Sequence, residues 1–174
     1  MKTVAIWSSL KFTNYGDDLQ ALAYAKLIKS MGYNVKLYQL HKSFAVMYDV
    51  ETVDTIEELC KDVKLCIIAG GGLLSPFNWF RRTFNRPYAE WELMFKDLYE
   101  AAEKFGTKFC AISMGGDGKL YDPKKYYGEW RNKFFTHPNF LNGAVRLEGD
   151  VTVMKQCFNK DFKWFPDMLL KATD

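Results

Sequence analysis

Histidine is scarce in this sequence. His41 and His137 are the only two in 174 residues, and neither has a carboxylate or thiol at metal-ligand spacing, so no zinc-type site is supported. The four cysteines, Cys60, Cys66, Cys110 and Cys157, include no C-x-x-C pair. Lying in or near strand-like or helical segments, they read as reduced, mostly buried thiols of a cytoplasmic protein. No apolar run nears the ~20 residues that a membrane-spanning helix needs. One lysine and a short apolar stretch at the N-terminus likewise fall short of a secretion signal. Signatures of several reaction classes are missing too: no G-x-S-x-G, no H-E-x-x-H and no P-loop G-K-[ST] occurs. There is no internal repeat, low-complexity stretch or linker. The net charge of +3 is too small to imply nucleic acid or an acidic membrane surface by itself.

What is present is apolar sequence, 48% of the chain, enough for the core of one domain spanning 1–174. Apolar runs bounded by turn signals at 3–7, 35–40, 65–69, 108–113 and 144–147 predict five strands, with a sixth at 162–165. Helical patterns fall between them at 17–31, 55–60, 88–105 and 149–158. In the first, Leu19, Leu22, Ala23, Leu27 and Met31 share the expected inner face, while Lys26, Lys29 and Ser30 turn away. Strands that alternate with helices and are continuously apolar predict an α/β fold. The expected form is a single doubly wound, mainly parallel sheet covered by helices on both faces. Its ligand crevice lies beyond the carboxyl ends of the strands. The loops at 8–16, 70–75 and 113–119 should therefore line one edge.

Three constellations on that edge carry candidate chemistry. Asn14-Tyr15-Gly16-Asp17-Asp18 joins the first strand to the first helix, with turn residues followed by carboxylates that satisfy the first helical N–H groups. Those carboxylates make the turn a poor phosphate cradle. Gly70-Gly71-Gly72 lets a backbone or ligand approach closely, but its spacing is not that of a dinucleotide fingerprint. The functional reading has backbone N–H groups facing a sugar or donor; the plain reading is a turn. Gly115-Gly116-Asp117-Gly118 adds a carboxylate able to orient or deprotonate a hydroxyl, although Asp between glycines is also an ordinary turn residue. A fourth segment, 77–88, interleaves aromatic rings with Arg81, Arg82 and Arg86. Trp79 there suits stacking on a sugar, and Arg81 and Arg82 suit a phosphate or carboxylate. The same mixture could bind single-stranded nucleic acid, or be a loop that pins the helix after it. A second aromatic and basic stretch follows at 121–140.

Four ordered segments resemble the polysaccharide pyruvyl transferase family. They are Asn14-Tyr15-Gly16-Asp17 with Leu19-Gln20-Ala21-Leu22, then Leu65-Cys66-Ile67-Ile68-Ala69-Gly70-Gly71-Gly72, then Ala111-Ile112-Ser113-Met114-Gly115-Gly116, and Val145-Arg146 with Phe165-Pro166-Asp167 beyond it. The resemblance covers nearly all of this chain and the first half of what the family contains. It implies a Rossmann-like domain similar to one half of a GT-B fold.

The implied activity is transfer of pyruvate from phosphoenolpyruvate to a sugar as a cyclic ketal, in surface or exopolysaccharide biosynthesis. No cofactor is implied beyond that donor substrate. The acceptor would be a sugar or a lipid-linked glycan, and no nucleic acid is expected. A second subunit or self-association would complete the cleft. The location would be cytoplasmic, or peripheral at the inner membrane face. Such chemistry needs a proton for the enol methylene, cations for the phosphate and carboxylate, and a base for the attacking hydroxyl. Asp17 and Asp117 are the candidate catalytic residues. Asn14, Tyr15, Gly16, Gly70, Gly71, Gly72, Trp79, Arg81, Arg82, Gly115, Gly116 and Arg146 are the candidate binding residues. In the family, Arg146 opens an Arg-Asp pair, whereas here Leu147 follows it. Glu148 or Asp150 would have to stand in for the carboxylate. Two other readings stay open: a non-catalytic glycan-binding module, or a glycosyltransferase-like enzyme using a nucleotide-sugar.

Overall fold

A computed structural model describes residues 2–8 and 15–167. The elements run β1 (Thr3–Trp7), α1 (Tyr15–Ser30), β2 (Asn34–Tyr38), α2 (Lys42–Met47), β3 (Glu51–Val53), α3 (Ile56–Cys60), β4 (Leu65–Ala69), α4 (Trp79–Phe84), α5 (Arg86–Phe105), β5 (Lys108–Met114), α6 (Pro123–Tyr126), α7 (Glu129–Thr136), β6 (Phe140–Val145), α8 (Glu148–Phe158) and β7 (Lys163–Trp164). All strands pair parallel in one sheet of order β3-β2-β1-β4-β5-β6-β7. The chain winds outward from β1 to β3, crosses back to β4, and winds outward the other way. This is a Rossmann-like α/β fold whose switch point lies between β1 and β4.

That reversal decides which helices cover which face, because right-handed crossovers running in opposite directions lay their helices on opposite sides of the sheet. The core divides accordingly. On one face, Val4, Ile6, Leu37, Ile67 and Ala69 pack with Ala21, Leu22, Tyr24, Ala25 and Ile28 of α1 and Ala45 of α2. On the other, Ala5, Trp7, Cys66, Ile68 and Phe109 pack with α3, α5, α7 and α8 through Leu59, Phe95, Phe134 and Phe158, among others. Local signals set the helix ends. Thr55 and Glu58 form a reciprocal capping box on α3, Asn78 caps α4, and left-handed Gly106 closes α5. Among the described residues, no helix is long and apolar enough to cross a membrane. All four cysteines are free. Cys60 and Cys66 are buried, and burial pushes the Cys110 thiol up to about 11.

Several expectations are corrected. Helix α1 begins at Tyr15, and its buried face is not the expected one: Leu19, Leu27 and Met31 are exposed, whereas Ala21, Tyr24, Ala25 and Ile28 are covered. Apolar residues surround this helix on nearly every side, so periodicity alone could not choose a face. Small Ala21 and Ala25 allow the close approach to the sheet. The edge strand β3, three residues long, and the short α2 carry too few residues for a periodic signal. Residues 77–88 hold helix α4 and the start of α5 rather than a loop. Helix α7 lies inside the aromatic stretch at 121–140, and β6 starts at Phe140 rather than at 144.

Arg131 of α7 joins these parts. It is fully buried. Its Nε donates to Glu92 Oε1 at 2.9 Å, Nη1 to the Leu73 and Ser75 carbonyls at 3.1 and 2.9 Å, and Nη2 to the Tyr126 carbonyl at 3.2 Å. The guanidinium lies 4.7 Å from the Trp91 ring centre and 5.0 Å from that of Tyr127. Burial lowers its pKa to about 10, which keeps it charged at neutral pH. Removing one member of a buried pair strands the other charge. We expect Arg131→Met to lower unfolding free energy by about 3–5 kcal/mol, with Glu92→Leu in the same chain recovering much of the loss. Denaturant midpoints check this, and an Arg131→Met chain as stable as wild type would remove the pair from its structural role.

Candidate functional site

The carboxyl edge beside the switch point gathers residues from five segments. The register between β5 and β6 shifts between Ala111 and Met114, where three steps on β5 match two on β6. This is a bulge, and within it Ser113 adopts φ 58°, unusual for a residue with a side chain. The buried Ser113 hydroxyl thereby meets the Tyr24 hydroxyl of α1 at 2.9 Å. Burial raises the Tyr24 pKa, the charge of Asp167 adds to the rise, and the hydrogen bond with Ser113 opposes it, so the phenol stays protonated.

One turn earlier on α1, buried Gln20 donates through Nε2 to Asp167 Oδ1 at 2.7 Å. The other Asp167 oxygen accepts from Arg146 Nη1 at 3.3 Å. Arg146 follows β6 and lies across Gly115: a Cβ on that glycine would sit 2.4 Å from Arg146 Nε. Gly70, at φ 69°, faces Gln20 in the same way, since a Cβ there would sit 1.4 Å from Gln20 Oε1. Two glycines thus leave room for two polar side chains whose far ends share one carboxylate.

The remaining backbone of the two glycine turns is turned inward. Gly70 N–H donates to the Ile112 carbonyl at 2.8 Å, Gly115 N–H to that of Gly71 at 3.0 Å, and Leu74 N–H to that of Gly115 at 3.0 Å. Gly116 and Gly118 N–H groups both donate to buried Asp150, at 2.7 and 3.1 Å. Burial raises the Asp150 pKa, while those two amides hold it down. The amides of Gly70, Gly115 and Gly116 therefore face partners inside the fold rather than a sugar or donor.

No protein-family model, curated protein or solved structure matches this chain. Arg146, Gly70, Gly71, Gly72, Gly115 and Gly116 meet at this edge. The carboxylate that Arg146 bonds directly is Asp167, not Glu148 or Asp150, although Asp150 lies near enough for the Arg146 charge to lower its pKa. Gly16 and Asp17 lie in the first turn of α1, with Asp17 buried and Asp18 half-buried. Burial, then the charge of Asp17, raises the Asp18 pKa. Tyr15 opens α1, and Asn14 lies outside the described residues. Asp117 is exposed, accepting from Tyr121 Oη at 2.7 Å and from Lys119 N–H at 3.2 Å. Among the described residues, no three His, Cys, Asp or Glu side chains group as metal ligands. His137 bonds Glu103 at 2.6 Å, and His41 caps α2.

Trp79, Arg81 and Arg82 ride on α4. Trp79 and Arg82 line a separate depression of about 790 Å³ with Leu93, Tyr127, Trp130 and Lys133. Sequence reasoning assigned no role to Gln20, Tyr24, Ser113 or Asp167. The available signal was Asp17, Gln20 and Tyr24 recurring at three- and four-residue steps among Ala21, Ala25 and Ile28: a polar row on a face that the sheet covers.

We expect Gly70→Ala to cost at least about 2 kcal/mol, since the left-handed backbone alone disfavours a Cβ by ~1 kcal/mol and Gln20 must also move. Adding Gln20→Ala should recover the steric part. Denaturation curves of the single and double variants check this; equal losses in both would mean that Gln20 does not occupy the space beside Gly70.

Proposed function

We propose that this chain is a polysaccharide pyruvyl transferase-like domain, and that its carboxyl edge binds the anionic donor phosphoenolpyruvate. The observation that carries the reading is Arg146: a guanidinium at the ligand edge of a Rossmann-like sheet, laid over a glycine and held by a carboxylate that Gln20 also holds. A guanidinium positioned in this way takes a carboxylate or phosphate through two parallel N–H donors. An incoming anion would compete with Asp167 for Arg146, with Gln20 keeping Asp167 in place as they part. The four ordered sequence segments support the same assignment, because residues from all four meet at this edge.

In this reading Asp117, exposed on the loop after β5, is the carboxylate open to an acceptor hydroxyl, and buried Asp17 orders the turn at α1. One guanidinium cannot neutralise both a phosphate and a carboxylate. A second domain, a partner subunit or a second copy of this chain would supply the other cations. The acceptor, a sugar or lipid-linked glycan in exopolysaccharide synthesis, would stack on Trp79 and Trp130 in the depression beside α4, and the protein would work in the cytoplasm. That depression also favours a second reading, a glycan-binding module without catalysis. Its aromatic and cationic walls exist whether or not the donor edge works.

Titration calorimetry of phosphoenolpyruvate into the chain, with its solution mass measured on the same sample, tests the first reading. Saturable binding that Arg146→Ala weakens at least about tenfold, a loss of ~1.4 kcal/mol, is the expected result. Unchanged affinity would take Arg146 out of the site. Trp79→Ala should weaken oligosaccharide binding without lowering thermal stability, because α4 buries no residue; a lowered melting temperature with binding intact would assign Trp79 to packing.

A further inference from the structure

Helix α4 breaks the usual rule for aromatic residues. Three of its six residues are Trp79, Phe80 and Phe84, and these are 62, 64 and 65% exposed. They pack on one another instead of on the core: Phe84 lies 5.7 Å from Trp79 and 4.9 Å from Phe80, ring centre to ring centre. Leu93, on the first half of α5, is also exposed and shares the depression with Trp79. Folding gains little from such rings, and a monomer that exposes a contiguous apolar group of this kind carries an interaction surface.

The charge around the rings says what that surface meets. Residues 77–88 contain Arg81, Arg82 and Arg86 and no acidic residue. Arg82 Nη2 donates to the Lys125 carbonyl at 3.3 Å, which brings the exposed Lys124 and Lys125 of α6 beside α4. Arg86 has a carboxylate partner in Glu90 at 2.8 Å. Arg81, Arg82, Lys124 and Lys125 have none among the described residues. A protruding aromatic knob ringed by unpaired cations matches a phospholipid surface, where rings sit at headgroup depth and Lys and Arg meet anionic lipid. The same features disfavour a second copy of the chain, because an isologous contact would press like charge against like charge.

We propose that α4 and α6 form a docking surface for an anionic membrane, with Trp79, Phe80 and Phe84 entering the headgroup layer and Arg81, Lys124 and Lys125 contacting its phosphates, while half-buried Arg82 ties α4 to α6. This surface stands independently of the donor edge. It would bring the chain to the plane in which lipid-carried substrates lie.

Co-sedimentation of the full chain with vesicles tests it, comparing pure phosphatidylcholine with phosphatidylcholine mixed with phosphatidylglycerol. The chain should sediment with the anionic vesicles, release as salt rises, and ignore the neutral ones. Each surface cation contributes about a fivefold change in partition, so Lys124→Glu with Lys125→Glu should reduce binding at least about tenfold. Phe80→Ser with Phe84→Ser should reduce it comparably. Since neither α4 nor α6 buries a residue, both variants should keep the wild-type circular dichroism and melting curve. Four outcomes would overturn the proposal. The first is equal binding to both vesicle types, and the second is full binding by either folded variant. The third is a dimer in solution that the Phe80→Ser/Phe84→Ser chain loses. The fourth is capture of a single-stranded oligonucleotide with no vesicle association.

Discussion

The buried guanidinium of Arg131 is the constraint on which much of the rest depends. Its donors end on the β4–α4 connection, on α5 and on the last residue of α6, and aromatic rings close around it. Glu92 Oε1 accepts from both Arg131 and the Gly128 amide that precedes α7, so one carboxylate fixes two neighbours. Charged groups taken out of water are tolerated only when their bonding is complete, and that demand allows few arrangements of these segments. By holding the carbonyls of Leu73 and Ser75, Arg131 also sets where the chain runs between the Gly70 turn and α4. The candidate donor edge and the aromatic helix are thus positioned by one internal cation that faces neither.

A similar economy operates at the switch point. Gln20, Asp167 and Arg146 lie far apart in sequence, and the reversal between β1 and β4 places their elements around the ends of neighbouring strands. Gly70 and Gly115 each give up a side chain so that Gln20 and Arg146 can lie close against the backbone. The glycines serve the approach of side chains more than the approach of a ligand. Any anion that binds here meets a guanidinium already ordered, which lowers the entropic cost of binding.

Much of the architecture was legible in sequence because its signals are local. Apolar runs at 3–7 and 65–69 coincide with β1 and β4 to the residue, and Gly106 marks the end of α5. Cap and turn chemistry acts over a few residues and can be read without the fold. The strand pattern gave the α/β class, and strand-end glycines gave the edge that carries the candidate site. Less was legible where the signal was weak or misleading. Apolar residues all around α1 hid its true inner face, β3 was too short to show a period, and the rings of α4 did not reveal that their segment is a helix.

The sequence by itself determined the alternation of strands and helices, the glycine turns at their ends and an arginine at the close of a strand, since these follow from local propensity and periodicity. Only the tertiary structure decided which carboxylate faces Arg146, that Gln20 and Tyr24 lie under the sheet edge, that Arg131 is a core residue, and that three rings of α4 remain in solvent. Burial and pairing arise between segments far apart in the chain, where the free energy of satisfying a buried polar group outweighs any preference of the residues beside it.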